Sequence, residues 1–309
     1  MRCVRLLLAG WRAGPADVII LSELELQFAW VAWLLARLRR APCWIDFFVG
    51  MYETNIEDWG ECGPNSLRAR LYRAFDALAL RSGDAVFTDT RLRAQRLRVQ
   101  RPQARVLSLP AGAPEWAVPE TGSPREESQG SLRLLFYGSY LPLHGVPFIL
   151  EGIAIAQKER PLAAVFVGSG GLRAEAERRC SELGLQEICA FRDPVPEPQL
   201  AALIAESDVV LGIFGQSEKA ATVIANKVWQ GLACERFVVT RESAALLEIR
   251  DLVSPYLIEV SLDSPRSLAD ALCAMPDRPS RTLDTARLLA GYVDDQFEAL
   301  AGLLPRSEA

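Results

Sequence analysis

A single histidine, His144, stands in 309 residues. That excludes a histidine-based metal cluster and any paired-imidazole chemistry, and leaves no bound metal expected. The seven cysteines (Cys3, Cys43, Cys62, Cys180, Cys189, Cys234 and Cys273) are odd in number and form no Cys-x-x-Cys pair. They read as buried thiols in a reducing compartment rather than as a disulfide scaffold or a zinc site. Positive charge is not in excess: 34 lysines and arginines face 39 aspartates and glutamates, a formal net charge of −5. No overall field favours a polyanion, so a nucleic-acid partner is not expected. Long apolar runs are missing as well. The longest, at 27–36, falls short of the roughly 20 residues a spanning helix needs. The opening MRCVRLLLAGWRAG has arginines and a brief apolar run but no credible cleavage site, so no signal peptide is expected and the chain is placed in the cytoplasm.

Half of the residues are apolar, enough for a sizeable core. Short β-branched runs alternate with longer amphipathic stretches, the pattern of parallel sheets with crossover helices. Strands are expected at 17–21, 43–48, 84–88 and 105–109, with helices near 26–40, 66–82 and 90–98. The stretch VPETGSPREESQG at 118–130 has no periodicity and reads as a linker. Strands then resume at 132–137, 163–167, 187–191, 208–212 and 237–240, each followed by a turn and a helical stretch. The fold class is therefore α/β, with two Rossmann-like doubly wound parallel-sheet domains at 1–117 and 131–280. A helical pattern at 281–309 is expected to pack across them. The helix carrying Trp30 and Trp33 ends in Arg37, Arg39 and Arg40. Its simpler reading is a core helix whose basic end suits its dipole; the other is an interfacial anchor in peripheral contact with the inner membrane face.

In open parallel sheets, ligands bind beyond the carboxyl ends of the strands, so the turns of the second domain carry the candidate site. The first is YGSYLPLHG, where Gly138 and Ser139 end a strand and His144 and Gly145 open a helix. The second is VGSGG, with Gly168 and Gly170. Glycine turns let a backbone approach a phosphate, and the amides of the following helix would hold it. Neither turn is a Walker loop or a complete dinucleotide fingerprint. The third is IFGQSEKAATVIANKVWQG, which sets Lys219 and Lys227 at the start of a helix expected to begin near Thr222 or Asn226. Cations there oppose the helix macrodipole, so their placement makes sense if an anion binds.

In order and spacing these three turns resemble the C-terminal domain of GT-B glycosyltransferases, specifically glycosyltransferase family 4. The resemblance covers residues 132–248 well. It extends to a bacterial branch through LGIFG, the Lys219-Ala220 pair and Asn226-Lys227-Val228, and in the N-terminal part through IDFFVGMY, FDALAL and the Thr88-Asp89-Thr90 segment. The first domain reaches its linker sooner than a full domain of this kind, so a shortened N-terminal domain is expected. The resemblance implies a retaining transfer of sugar from a nucleotide diphosphate sugar, without metal or cofactor, to a glycan or lipid-linked acceptor. It also assigns roles. Ser139 falls where the family has an arginine for the diphosphate, His144 where it has a lysine, and Thr222 and Gln230 at two glutamate positions. Donor contacts are then expected from Gly138, Ser139, Gly145, Gly168, Gly170, Val195, Lys219, Thr222, Val223, Asn226, Lys227 and Gln230. His144 and Lys219 would stabilise the leaving diphosphate, and Asp46 would bond an acceptor hydroxyl. If His144 acts as a cation, turnover should fall above about pH 7. The replaced glutamates leave a second reading open, a degenerate GT-B protein that binds a nucleotide sugar or a partner chain without transfer.

Overall fold

The structure is a computed structural model that describes residues 2–119, 130–276 and 283–304. Most of the expected linker, residues 277–280 of the expected second domain, and residues 281–282 and 305–309 of the expected C-terminal helix lie outside the described residues. The chain forms two compact units, one built from residues up to Pro110 and from Val293 onward, the other from Ala111–Tyr292.

The first unit opens with a helix that the pattern did not mark, α1 (Arg2–Arg12). Strands β1 (Ile19–Leu21), β2 (Cys43–Asp46), β3 (Ala85–Thr88) and β4 (Arg105–Ser108) follow in the order β1-β2-β3-β4, all parallel. Helices α2 (Ala29–Arg39), α3 (Leu67–Ser82) and α4 (Arg91–Gln100) make the crossovers. Local chemistry fixes the starts of the last two: Ser66 Oγ accepts from the Ala69 amide and Thr90 Oγ1 from the Arg93 amide, each satisfying a donor the helix leaves open. Helix α2 enters the core through Ala29, Ala32 and Ala36, which pack with Ile45 and Val86. Trp30 and Trp33 point the other way and stay 40% and 41% exposed.

The second unit carries six parallel strands: β5 (Leu132–Tyr137), β6 (Leu162–Val167), β7 (Cys189–Arg192), β8 (Val209–Leu211), β9 (Phe237–Arg241) and β10 (Leu257–Val260). Their order is β10-β9-β8-β5-β6-β7. Counted from β7, this is the doubly wound order that reverses direction between β5 and β8. Strand β10 is an addition to the expected set. Leu134, Phe136, Val209, Val210 and Val239 are all buried, because helices cover both faces and strands of this kind run nearly continuously apolar. Phe166 lies 5.5 Å from Phe136 and 5.0 Å from Phe191, ring to ring, beneath the strand ends. Around the sheet run α5 (Val146–Ala156), α6 (Arg173–Glu182), α7 (Glu197–Glu206), the short α8 (Glu218–Thr222), α9 (Asn226–Ala233), α10 (Arg250–Val253) and α11 (Pro265–Ala274). The last helix, α12 (Thr285–Ala301), stacks Tyr292 on Trp229 of α9 at 6.2 Å. Among the described residues, no helix is long and apolar enough to cross a membrane.

Candidate functional site

The three glycine-bearing turns of the second unit meet at the switch between β5 and β8. Gly138 donates its amide to Val167 O and Gly168 to Arg192 O, both at 3.0 Å. Phe214 donates to His144 O at 3.0 Å and Gly215 to Leu143 O at 2.9 Å, so the loop after β8 is zipped to the turn after β5. These approaches leave no room for a side chain. At Gly168 (φ +133°) a β-carbon would stand 2.0 Å from Gly138 O, and at Gly145 (φ +63°) 2.3 Å from Phe214 C. Gly170 meets Ser139 O in the same way. Glycine is required here because no side chain fits, and at Gly168 and Gly170 the backbone conformation itself also favours glycine.

Two side chains converge on Gly138. A β-carbon there would lie 2.8 Å from His144 Cε1 and 3.2 Å from Lys227 Nζ. His144 is buried, its ring edge-on to Phe136 at 5.5 Å, and its Nδ1 accepts the Leu141 amide proton at 3.2 Å. An accepting Nδ1 is unprotonated, so the ring is neutral and its remaining proton sits on Nε2. Burial, with Lys227 beside it, pushes the His144 pKa down to about 2. The expectation of a cationic His144 is thereby corrected: a cation needs water or an anion beside it, whereas this buried ring lies between the Phe136 ring and the Lys227 amine. Lys227, in the first turn of α9, is 5% exposed and its Nζ has no hydrogen-bond partner. It rests 4.2 Å from the centroid of Phe136, whose face favours a cation. Burial lowers its pKa from 10.5 to about 7.

The third turn resolves into two helices. Ser217 Oγ caps α8 by accepting from Ala220, and Lys219 is buried within that helix. The Thr222 hydroxyl donates to the carbonyls of Glu218 and Lys219, at 3.2 and 3.1 Å. Val223 closes α8 and packs against Leu143, Ile213 and Ala220. Asn226 is exposed at the start of α9, and Gln230, one turn further along, accepts the Tyr137 hydroxyl proton at 2.8 Å. Ser139 is exposed, and Val195 is half-buried in the loop between β7 and α7. Beside the zipped turns lies a pocket of about 370 Å³, lined by Leu141, Pro142, Phe148, Phe214 and Gln216, with Glu151 and Glu175 at its edge.

The chain as a whole has counterparts among known proteins. Residues 2–112 match the family described as "Glycosyl transferase 4-like domain". Residues 131–277 match "Glycosyl transferases group 1". The chain belongs to the GT-B glycosyltransferases, resembling family 4. Its fold is shared with Anabaena HepE in complex with UDP-glucose (TM-score 0.70, 14% identity, 97% of this chain and 82% of that one). It is also shared with WaaG, a glycosyltransferase involved in lipopolysaccharide biosynthesis (TM-score 0.63, 17% identity, 91% and 82%). A mutant of S. aureus TarM in complex with fondaparinux, alpha-GlcNAc-glycerol and UDP gives a TM-score of 0.65 at 12% identity. The match takes in 98% of this chain but 56% of that protein's length. No curated protein matches the chain.

In this glycosyltransferase the structure brings Gly138, Gly145, Gly168, Gly170, His144 and Lys227 together. Several supporting residues carry no mark in the sequence pattern. Phe136 holds Lys227, Tyr137 holds Gln230, and Thr240 Oγ1 accepts from the Ile213 amide at 3.1 Å. Arg173 Nη1 donates to Gly168 O at 2.9 Å and pairs with Asp193. Each sits at a strand end or in the first turn of a helix, a positional signal that residue type alone does not carry.

The carboxylates of the first unit form a separate group. Asp46, half-buried at the end of β2, accepts from the Phe48 amide at 3.2 Å, and burial raises its pKa. Arg93 is buried and bonds Glu53 through both terminal nitrogens, at 2.8 and 2.9 Å. Its Nε meets Asp89 at 3.0 Å and its Nη2 donates to Phe48 O.

Proposed function

We propose that this chain transfers a sugar from a nucleotide diphosphate sugar to a glycan or lipid-linked acceptor, with retention at the anomeric carbon and without metal or cofactor. The observation that carries the reading is Lys227, a buried amine with no hydrogen-bond partner among the described residues, at the Gly138 turn and the switch point of the sheet. Taking a lysine out of water without a counter-charge is unfavourable, and a diphosphate would supply that charge. The complexes of HepE with UDP-glucose and of TarM with UDP support the donor class. On this reading the neutral His144 donates Nε2–H to the leaving diphosphate, and Lys219 and Lys227 add positive charge. Gln230 bonds the ribose and Asp46 an acceptor hydroxyl. Transfer would take place in the cytoplasm. The exposed Trp30 and Trp33, with Arg37 and Arg40 on the same helix end, support a peripheral contact with the membrane.

A second reading, donor binding without transfer, draws on Thr222. Its hydroxyl is committed to its own helix, at a position where the family has a glutamate. A thermal-shift screen with UDP-, GDP-, ADP- and dTDP-sugars tests the first step, since a ligand that binds only the folded chain raises its apparent stability. Turnover measured with the sugar that binds then separates the readings. Tight binding with no transfer to any acceptor or to water would leave only the second.

A further inference from the structure

We infer that donor binding is coupled to proton uptake at Lys227: without a ligand the buried amine gives up its proton readily, and it becomes fully an ammonium when a diphosphate arrives. The inference rests on the donor site of the proposed function and adds a charge change to it. Its basis is the inventory of groups around Nζ. From β5 comes the Phe136 ring, at 4.2 Å, an apolar wall with a weakly attractive face. From the turn after β5 come the backbone of Gly138 and the ring of His144, which is neutral because its Nδ1 accepts the Leu141 amide.

Tyr137 ends β5 with its hydroxyl on Gln230, and burial holds that phenol well above its ordinary range. Cys234, which acts on Tyr137, is itself pushed up to about 11 by burial. Neither becomes an anion near neutrality. Lys227 also stands in the first turn of α9, where the helix dipole opposes a positive charge. Among the described residues no carboxylate pairs with Nζ, so the surroundings do little to favour the charge and burial disfavours it.

An arriving diphosphate reverses this balance. Opposite charge at close range favours the ammonium, and the flexible four-carbon stem lets Nζ turn from the ring towards an anion at Gly138. The proton comes from solvent, and no bond of the donor is changed by this step. Burial lowers its pKa to about 7, so above that pH binding must first charge it. Affinity should then weaken by up to about tenfold per pH unit, until the bound-state pKa is reached.

Isothermal titration of the full chain with UDP, GDP, ADP and dTDP, in buffers of different ionisation enthalpy, counts the protons. The nucleotide that binds should take up about one proton at pH 8. Lys227→Met should bind it at least tenfold more weakly and take up none. Lys227→Arg, charged throughout, should restore binding without uptake. Binding by the unaltered chain with no net proton, or uptake that survives Lys227→Met, would overturn the inference while leaving the donor site standing. Failure of all four nucleotides to bind would remove both.

Discussion

Arg93 in the first unit and Lys227 in the second are both buried basic side chains, 7% and 5% exposed. Arg93 is surrounded by Glu53, Asp89 and the Phe48 carbonyl, and its pKa is held above its usual range by those carboxylates despite burial. Lys227 has an aromatic face, a neutral imidazole and a helix N-terminus, and its pKa is held below its usual range. The fixed fork of a guanidinium suits the first setting, where several acceptors are built into the chain. The single movable amine suits the second, where the described residues supply no acceptor. A buried cation whose partners lie within the fold is a structural tie. On the proposed reading, one with no partner among the described residues is where a ligand supplies it.

Substitutions can break this contrast at either end. The largest effect is expected from Arg93→Leu, which strands Glu53 and Asp89 without their counter-charge. Urea denaturation should show a loss of about 3–5 kcal/mol, with little change in nucleotide affinity. Next comes Gly168→Ala, whose β-carbon has no space beside Gly138 O. Backbone strain of this kind should cost about 1–3 kcal/mol in thermal unfolding, and nucleotide binding should be lost with the shape of the turn.

Lys227→Met should behave oppositely to Arg93→Leu. It removes a charge that the fold does not satisfy, so stability should stay the same or rise while binding falls. Its pH dependence has a definite sign. Because the folded pKa of about 7 lies below the ordinary 10.5, the unfolded chain holds the extra proton between those values. The original chain should therefore gain stability relative to Lys227→Met as pH rises from 7 towards 10. Equal slopes for the two proteins in melting experiments would contradict the assigned charge state. The smallest effect is Tyr137→Phe, which removes one hydroxyl bond to Gln230 and should cost about 0.5–1.5 kcal/mol, measured the same way.

Much of this was legible in local patterns. Strands β5, β6 and β8 are largely apolar because both faces are covered, and such runs stand out between amphipathic helices. Strand β10 escaped because LIEV is half-buried at the edge of the sheet and gives a weaker pattern. The glycine turns were also visible, since a glycine directly after a strand marks a bend that bulkier residues resist. The two lysines of the third turn look alike in the sequence. Their different settings arise from their surroundings in the fold: Phe136 and Gly138, far away in the chain, face Lys227, while Lys219 is buried on the short helix α8.

What the sequence determined by itself was the α/β class, the approximate strand positions and the three turns, because these follow from side-chain periodicity and backbone sterics over a few residues. The charge states at the site were decided only by tertiary structure. Whether His144 is neutral, and whether Lys227 keeps its proton, depends on how far each lies from water and on which distant groups face it. Both conditions exist only once β5, the turn after it and α9 have come together.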